Sequence, residues 1–220
     1  MTTEGPALVD PRQTAGLVGG FAPGAVEGAA WGMVGRTVTV HAMSPYYEDA
    51  FFPSAAAGLL RWEWGGNPRT PEGFHLSLWN GATEAFVPVD KYTGRALGII
   101  RIYGTNVFHG FCSLAVFLEE PDSGPRSGPA EALWLVASHL FADQGVRKIY
   151  GDLTESTFER FSSGSASLFT VEGRLTDHHR TGSSFEDKVI VAFHRSTWEE
   201  LASGPLAQVR GGLETRQGDR

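Results

Sequence analysis

The sequence predicts a mixed α/β fold, and three observations carry that prediction. Strand-like and helix-like segments alternate along the middle of the chain, in the order β-α-α-β-β-β-α-β-α-β-β. One of them, Ala130–Gln144, places Leu133, Val136, Ala137, Leu140 and Phe141 at i, i+3, i+4, i+7 and i+8, the repeat of a helix with one buried face. Ahead of it, Phe111–Leu118 (FCSLAVFL) is almost continuously apolar, the pattern of a strand covered on both sides.

The elements follow in chain order. Residues 1–35 are rich in Gly and Ala and lack periodicity, so they read as an N-terminal extension. Thr37–His41 alternates β-branched residues and predicts a first strand. Ser44 before Pro45 is an N-cap followed by a proline at N1, which starts a helix; Pro53 is expected to end or break it. Thr70-Pro71-Glu72 opens a second helix, through about Trp79, by the same logic. Ala85–Asp90 and Leu97–Tyr103 flank the turn Lys91–Gly94 and predict a hairpin. Gly145 stands where a C′ glycine ends the long helix. Lys148–Leu153 is the next strand. Glu155–Ser167 allows a helix, weakened by its Ser and Gly content, including Ser162–Gly164. Phe169–Leu175 and Phe185–His194 are two final strands, joined by a polar loop, Thr176–Ser184, and Thr197–Leu201 adds a last helical turn. The domain therefore runs over 36–202, with a flexible tail over 203–220.

Composition removes several function classes. A chain of 220 residues with one cysteine has no internal disulfide framework and no Cys-rich zinc site, which fits a reducing, cytoplasmic setting. No run of 18 apolar residues exists, so no membrane-spanning helix is expected. The opening MTTEGPALVD has neither a basic nor an apolar signal-peptide region. A formal charge of −7 argues against generic nucleic-acid binding, although it leaves room for a local basic patch. The 28 glycines and 12 prolines follow no collagen-like period, so their positions matter more than their number.

Four separated phrases carry a resemblance. GVRKIYGDL (145–153), VEGRLTDH (171–178), DKVIVAFHRSTWEEL (187–201) and AFVPVDKYTGRALGIIRIYG (85–104) are similar to the GNAT acyltransferase superfamily. The nearest branch acetylates ribosomal-protein N-termini and small amines. The resemblance covers about residues 37–201. It implies a GNAT-like mixed sheet, flanked by helices, in which Phe111–Leu118 and Lys148–Leu153 are parallel neighbours that splay apart. An acyl-donor thioester would lie in the gap, held by backbone N–H groups near Val116, Phe117 and Leu118. The turn into the next helix, with Arg126, Ser127, Gly128 and Ala130, would wrap the pyrophosphate of acetyl-CoA or another acyl-CoA. The resemblance implies no metal and no membrane, an amine acceptor on a small molecule or peptide, and compatibility with a homodimer.

The chain departs from that pattern in two places. Anchored on Glu131-Ala132-Leu133, the loop Asp122–Ala130 puts Pro125, Ser127 and Pro129 where the family favours glycines. Proline has no N–H, so two phosphate donors are missing, each worth roughly 1.5–3 kcal/mol. Arg126 is the natural compensator; alternatively, Pro129 simply occupies helix N1. The second departure concerns proton transfer. Ser113 stands where many relatives carry a glutamate base, and Gly164 falls near the position of their tyrosine acid. Either positioning and carbonyl polarisation suffice, or a base comes from elsewhere. His109 is the leading substitute, against the alternative of a solvated turn histidine.

Cys112 reads as buried and inert. His178-His179 matches no metal spacing, and the resemblance places His178 near the acceptor. In Arg61–Pro68, Trp62 and Trp64 would wall an acceptor pocket and Glu63 would recognise an ammonium, unless the tryptophans belong to the core. His41, His75, His139 and His194 read as structural. Three functions follow. The first is an acyl-CoA-dependent N-acyltransferase. The second is a GNAT-fold transferase taking its acyl group from an aminoacyl-tRNA or a carrier-protein thioester. The altered loop motivates it, with Arg126, Arg147, Lys148 and Arg160 as a local positive face. The third is a non-catalytic binding module, motivated by the missing acid and base.

Overall fold

The computed structural model describes residues 32–58, 68–118, 127–159, 168–181 and 183–204. Eight strands form one sheet in the order β1-β2-β3-β4-β5-β6-β8-β7. They are β1 (Gly32–Val34), β2 (Val38–Ala42), β3 (Ala82–Asp90), β4 (Gly98–Asn106), β5 (Phe111–Leu118), β6 (Lys148–Thr154), β7 (Thr170–Thr181) and β8 (Ser184–His194). Among the described residues it is flanked by the helices α1 (Pro45–Ala56), α2 (Pro71–Trp79), α3 (Ser127–Ala142) and α4 (Arg195–Ser203), with a further short helical stretch over 155–159. Neighbouring strands run antiparallel except β5 and β6, which are parallel. A parallel pair needs a crossover, and α3 supplies it.

Strand parity builds two cores. Cys112 of β5 joins Ile100, Ile102 and Ile149 against Trp134, Leu135, Val136 and Leu140 of α3 and Trp198 of α4. Ala115 and Phe117, of the opposite parity, join Ile99, Ala85 and Val87 against Tyr47 and Phe51 of α1 and Phe74 and Leu78 of α2. β5 is therefore covered on both faces, as its apolar run predicts.

Local signals behave as expected at several points. Thr70 Oγ1 accepts from the Gly73 amide at 3.0 Å and caps α2. Gly145 takes φ +70° with open space around it, so its backbone conformation, not crowding, demands glycine. Three readings need correction. The sheet starts earlier than Thr37, because Gly32–Val34 pairs with Thr39–His41. Pro53 does not break α1, which continues to Ala56. Its ring removes one bond, the next turn closes with Ala57 N–H to Pro53 O at 3.0 Å, and burial of Phe51 and Ala55 holds the helix across it. Residues 176–181 are strand, not loop: β7 absorbs a bulge, with Asp177 at φ +51°, and then pairs again from His179 opposite Glu186. The bulge shifts the alternation that a strand reading depends on. Residues 155–159 are helical.

Candidate active site

The parallel pair at the centre of the sheet is zipped at one end only. Phe111, Cys112, Ser113 and Leu114 pair with Lys148, Ile149, Tyr150 and Gly151, and there the β5–β6 ladder stops. Both strands continue. β5 stays bonded to β4 as far as Leu118 opposite Gly98, and β6 stays bonded to β8 as far as Thr154 opposite Lys188. Each strand keeps its outer neighbour while the inner ladder lapses, so the sheet splits. The edge of β5 over 115–118 faces this gap with backbone groups that no strand pairs. Of the residues expected to hold a donor, Val116 packs into the α3-side core and Phe117 into the α1–α2 core. What they offer the gap is therefore main chain, as is what Leu118 offers.

α3 begins at the end of the sheet where β5 ends, its first described turn seated over β2 and the start of β4. Its first turn includes Ser127, Gly128, Pro129 and Ala130. A Cβ on Gly128 would meet Leu97 Cδ1 at 3.1 Å and Val38 Cγ1 at 3.2 Å, so glycine lets the helix start seat closely on the sheet. Pro129 lies in the helical segment that the structure describes from Ser127 onward. Glu131 faces away to the β1–β2 turn, accepting from the Arg36 amide, the Thr37 amide (2.8 Å) and the Thr37 hydroxyl. Partial burial pulls its pKa upward, but these hydrogen bonds prevail and hold it below the ordinary carboxylate value.

His109 lies at the other end of β5. It occupies the β4–β5 turn, its amide donating to Asn106 Oδ1 (2.9 Å) and its carbonyl accepting from Arg147 Nε (2.8 Å). Its ring stacks on Phe111 at 6.2 Å between centroids. At about 3.3 Å per residue, the strand from Phe111 to Ala115 alone spans roughly 13 Å, and His109 lies beyond it in the turn. The structure does not bring His109 to the gap, which corrects its reading as the base. His178 is also elsewhere: it sits exposed on β7, the outermost strand, with β8 between it and β6. Cys112 is buried, and burial pushes its thiol up to about 12, so it is inert at neutral pH. Trp62, Glu63, Trp64, Pro125, Arg126, Arg160 and Gly164 lie outside the described residues.

Ser113 is the sequence candidate that reaches the opening, and it has unforeseen company. It is opposite Tyr103 on β4 and belongs to the last two rungs of the β5–β6 ladder. The Tyr103 hydroxyl is hydrogen-bonded to both Ser113 and Asp152, the first residue of β6 beyond the ladder. Asp152 Oδ2 is 2.6 Å from Lys188 Nζ on β8. Four strands thus contribute to one polar line across the mouth of the split. Beneath it, the buried Arg101 guanidinium lies 5.6 Å from the Tyr103 ring and donates to Asn80 O at the end of α2. Burial, with the Asp152 charge adding to it, raises the Tyr103 phenol to about 12. The hydroxyl therefore keeps its proton at neutral pH. The sequence signal for this group is faint: Tyr103, Ser113 and Asp152 lie in the strands IIRIYG, FCSLAVFL and KIYGDL, where Arg101, Lys148 and Tyr150 share their parity and nothing local singles the three out.

Among the described residues no helix is long and apolar enough to cross a membrane, and no group of three or more His, Cys, Asp or Glu side chains is placed to hold a metal ion. No family model matches the sequence. No curated protein matches it either. Solved structures do match the fold. A GCN5-related N-acetyltransferase from Brucella melitensis superposes with a TM-score of 0.61 at 18% identity, covering 79% of this chain and 83% of its own. A spermidine N-acetyltransferase from Vibrio cholerae, in complex with CoA and spermine, superposes with a TM-score of 0.62 at 14% identity, covering 74% of this chain and 98% of its own. The chain has the GNAT fold, with the mixed sheet and flanking helices that its sequence resemblance implies.

Proposed function

We propose that the protein is an N-acyltransferase that moves an acyl group from an acyl-CoA thioester to an amine of a small molecule or peptide. The split between β5 and β6 carries this reading. A gap lined by unpaired main chain suits a slender, hydrogen-bonding arm such as pantetheine, and main-chain N–H groups at its edge can polarise a thioester carbonyl. The amides of Ser127, Gly128 and Ala130, in the first described turn of α3 at the sheet end where β5 finishes, suit the pyrophosphate. Glu131 fits this use because its charge is engaged with Arg36 and Thr37 on another side. The CoA and spermine named for the Vibrio cholerae structure support both the donor class and a cationic amine acceptor. The amine would approach from the α1–α2 face, where Ser113, Tyr103 and Asp152 stand. Holding amine and thioester together in a dry gap supplies most of the acceleration such a reaction needs.

Calorimetric titration of the purified protein with acetyl-CoA, followed by turnover on a panel of polyamines, amino-acid amides and N-terminal peptides, tests the reading. Saturable heat at micromolar ligand and release of free thiol are the expected results. No heat at millimolar acetyl-CoA overturns the donor, and salt-sensitive binding of aminoacyl-tRNA, or transfer from a carrier-protein thioester, would then identify a different one. Tight binding without turnover on any amine would make the protein a binding module.

A further inference from the structure

We propose that Ser113, Tyr103 and Asp152 form a proton relay that carries the acceptor's proton from the mouth of the split to solvent. The inference rests on the acyltransferase reading and deepens it, because it assigns a route for the proton in a site that lacks the glutamate and tyrosine expected from its resemblance.

The direction of the relay follows from the hydrogen-bonding inventory. A carboxylate only accepts, so the Tyr103 hydroxyl donates to Asp152. Its one proton is then used, so Ser113 Oγ–H donates to the phenol oxygen. Ser113 keeps its lone pairs for a donor arriving in the gap. The line also runs outward: Ser113 and Tyr103 are half-buried, whereas Asp152 is exposed. Lys188, 2.6 Å from Asp152, holds the terminal carboxylate in place. Tyr103 spans β5 to reach β6, which the small side chain of Ser113 beneath it permits.

The neutral amine nitrogen attacks the thioester carbon; a C–N bond forms and the nitrogen becomes cationic. Its proton passes to Ser113 Oγ, the serine proton to Tyr103, and the tyrosine proton to Asp152, which releases it to water. The C–S bond breaks, its electron pair leaves on sulfur, and the thiolate takes a proton from solvent. Serine and tyrosine end the cycle as they began, so neither needs a base's pKa. A phenol raised to about 12 suits a relay that is never left ionised. Lys188 from β8 and Arg101 from β4 face the line, and Tyr150 of β6 stands opposite Ser113. Lys148, Glu172 and His194 form a separate group on the β6–β8 side near the closed end.

Steady-state kinetics of the full chain with acetyl-CoA and its best amine tests the relay. Tyr103→Phe keeps the ring but removes the hydroxyl. It should lower kcat about 100-fold with KM and acetyl-CoA binding unchanged. Ser113→Ala should fall similarly, and the double variant should be no slower than Tyr103→Phe alone, because the two act as a unit. In mixtures of light and heavy water, the wild-type rate should fall along a curved line, and the Tyr103→Phe rate along a straight one. Should Tyr103→Phe melt early or fail to bind acetyl-CoA, Asp152→Asn replaces it. Asparagine still accepts from the tyrosine but cannot take its proton, and a loss of 10-fold or more is expected. A Tyr103→Phe or Asp152→Asn enzyme within twofold of wild-type kcat overturns the relay and leaves the acyltransferase standing. A wild-type protein with no turnover on any amine overturns the acyltransferase reading and the relay with it.

Discussion

The two ends of the β5–β6 pair are built from the same strands and do opposite things. At the closed end every rung is made. Arg147 Nε donates to His109 O, Arg195 donates through two nitrogens to Val146 O (2.9 and 2.6 Å), and Phe108, His109, Phe111 and Tyr150 pack ring against ring. At the open end Ala115–Leu118 and Asp152–Thr154 part, and polar side chains replace rings. The difference shows that chemical residue type is a poor guide to a site. The histidine with the most suitable side chain is locked into the end that only holds the strands together, while a serine, an ordinary strand residue, stands at the mouth.

Four substitutions test that contrast, from the largest effect to the smallest. Gly128→Val acts where α3 seats on the sheet, at the end where β5 finishes. Its side chain would press on Leu97 and Val38, which already stand 3.1–3.2 Å from an added Cβ. It should cost about 1–3 kcal/mol in urea unfolding and weaken acetyl-CoA binding at least tenfold, because it lifts the start of α3. A variant that binds normally would detach the helix start from the donor site.

Glu131→Gln comes next, with an expected loss of about 1.5–3 kcal/mol at pH 7, since a charged acceptor of three hydrogen bonds becomes a neutral one. The folded carboxyl has a depressed pKa, so its contribution is present above the unfolded value and is lost as pH falls through the folded one. Urea midpoints of variant and wild type should therefore converge on acidification below about pH 4. A gap that stays constant with pH would contradict the assignment.

His139→Gln probes the closed end, where α3 finishes. Burial pulls the imidazole pKa down, but hydrogen bonds to Glu84 and Asp143 outweigh it and raise the value above 6.5. This stabilisation is complete below the unfolded pKa and fades as pH rises through the folded one. Wild type should lose stability through that window, by about 1 kcal/mol or less for a half-buried pair, and the variant should show a flatter profile. His109→Ala should do least. We expect kcat within twofold of wild type and a stability loss under about 1 kcal/mol, because its backbone contacts survive. A hundredfold loss of kcat would restore it as a base and overturn the contrast between the two ends.

Much of the fold was legible because its signals are short-range. The Thr70 cap, the Gly145 stop, the helix through Leu133–Phe141 and the two-sided burial of FCSLAVFL each depend on residues a few positions apart. The misreadings share a different origin. Pro53 stays in a helix because Phe51 and Ala55 pack on distant partners, and β7 runs past its expected end because the bulge at Asp177 resets the alternation. The site was legible in part. The resemblance anticipates a gap between the right two strands, and Ser113 was named as a candidate. Tyr103, Asp152 and Lys188 were not, since no local pattern marks them.

By itself, then, the sequence determined most of the strands and helices and which faces are apolar, since periodicity and capping act within a few residues; the likeness to the GNAT superfamily rests instead on four separated phrases of sequence. Only the tertiary structure decided where the β5–β6 ladder stops, that His109 stands at the wrong end of it, and that three polar residues from three strands meet at its mouth. Strand register sums pairings between residues as far apart in sequence as Tyr103 and Lys188, and where the β5–β6 ladder stops sets where the gap begins.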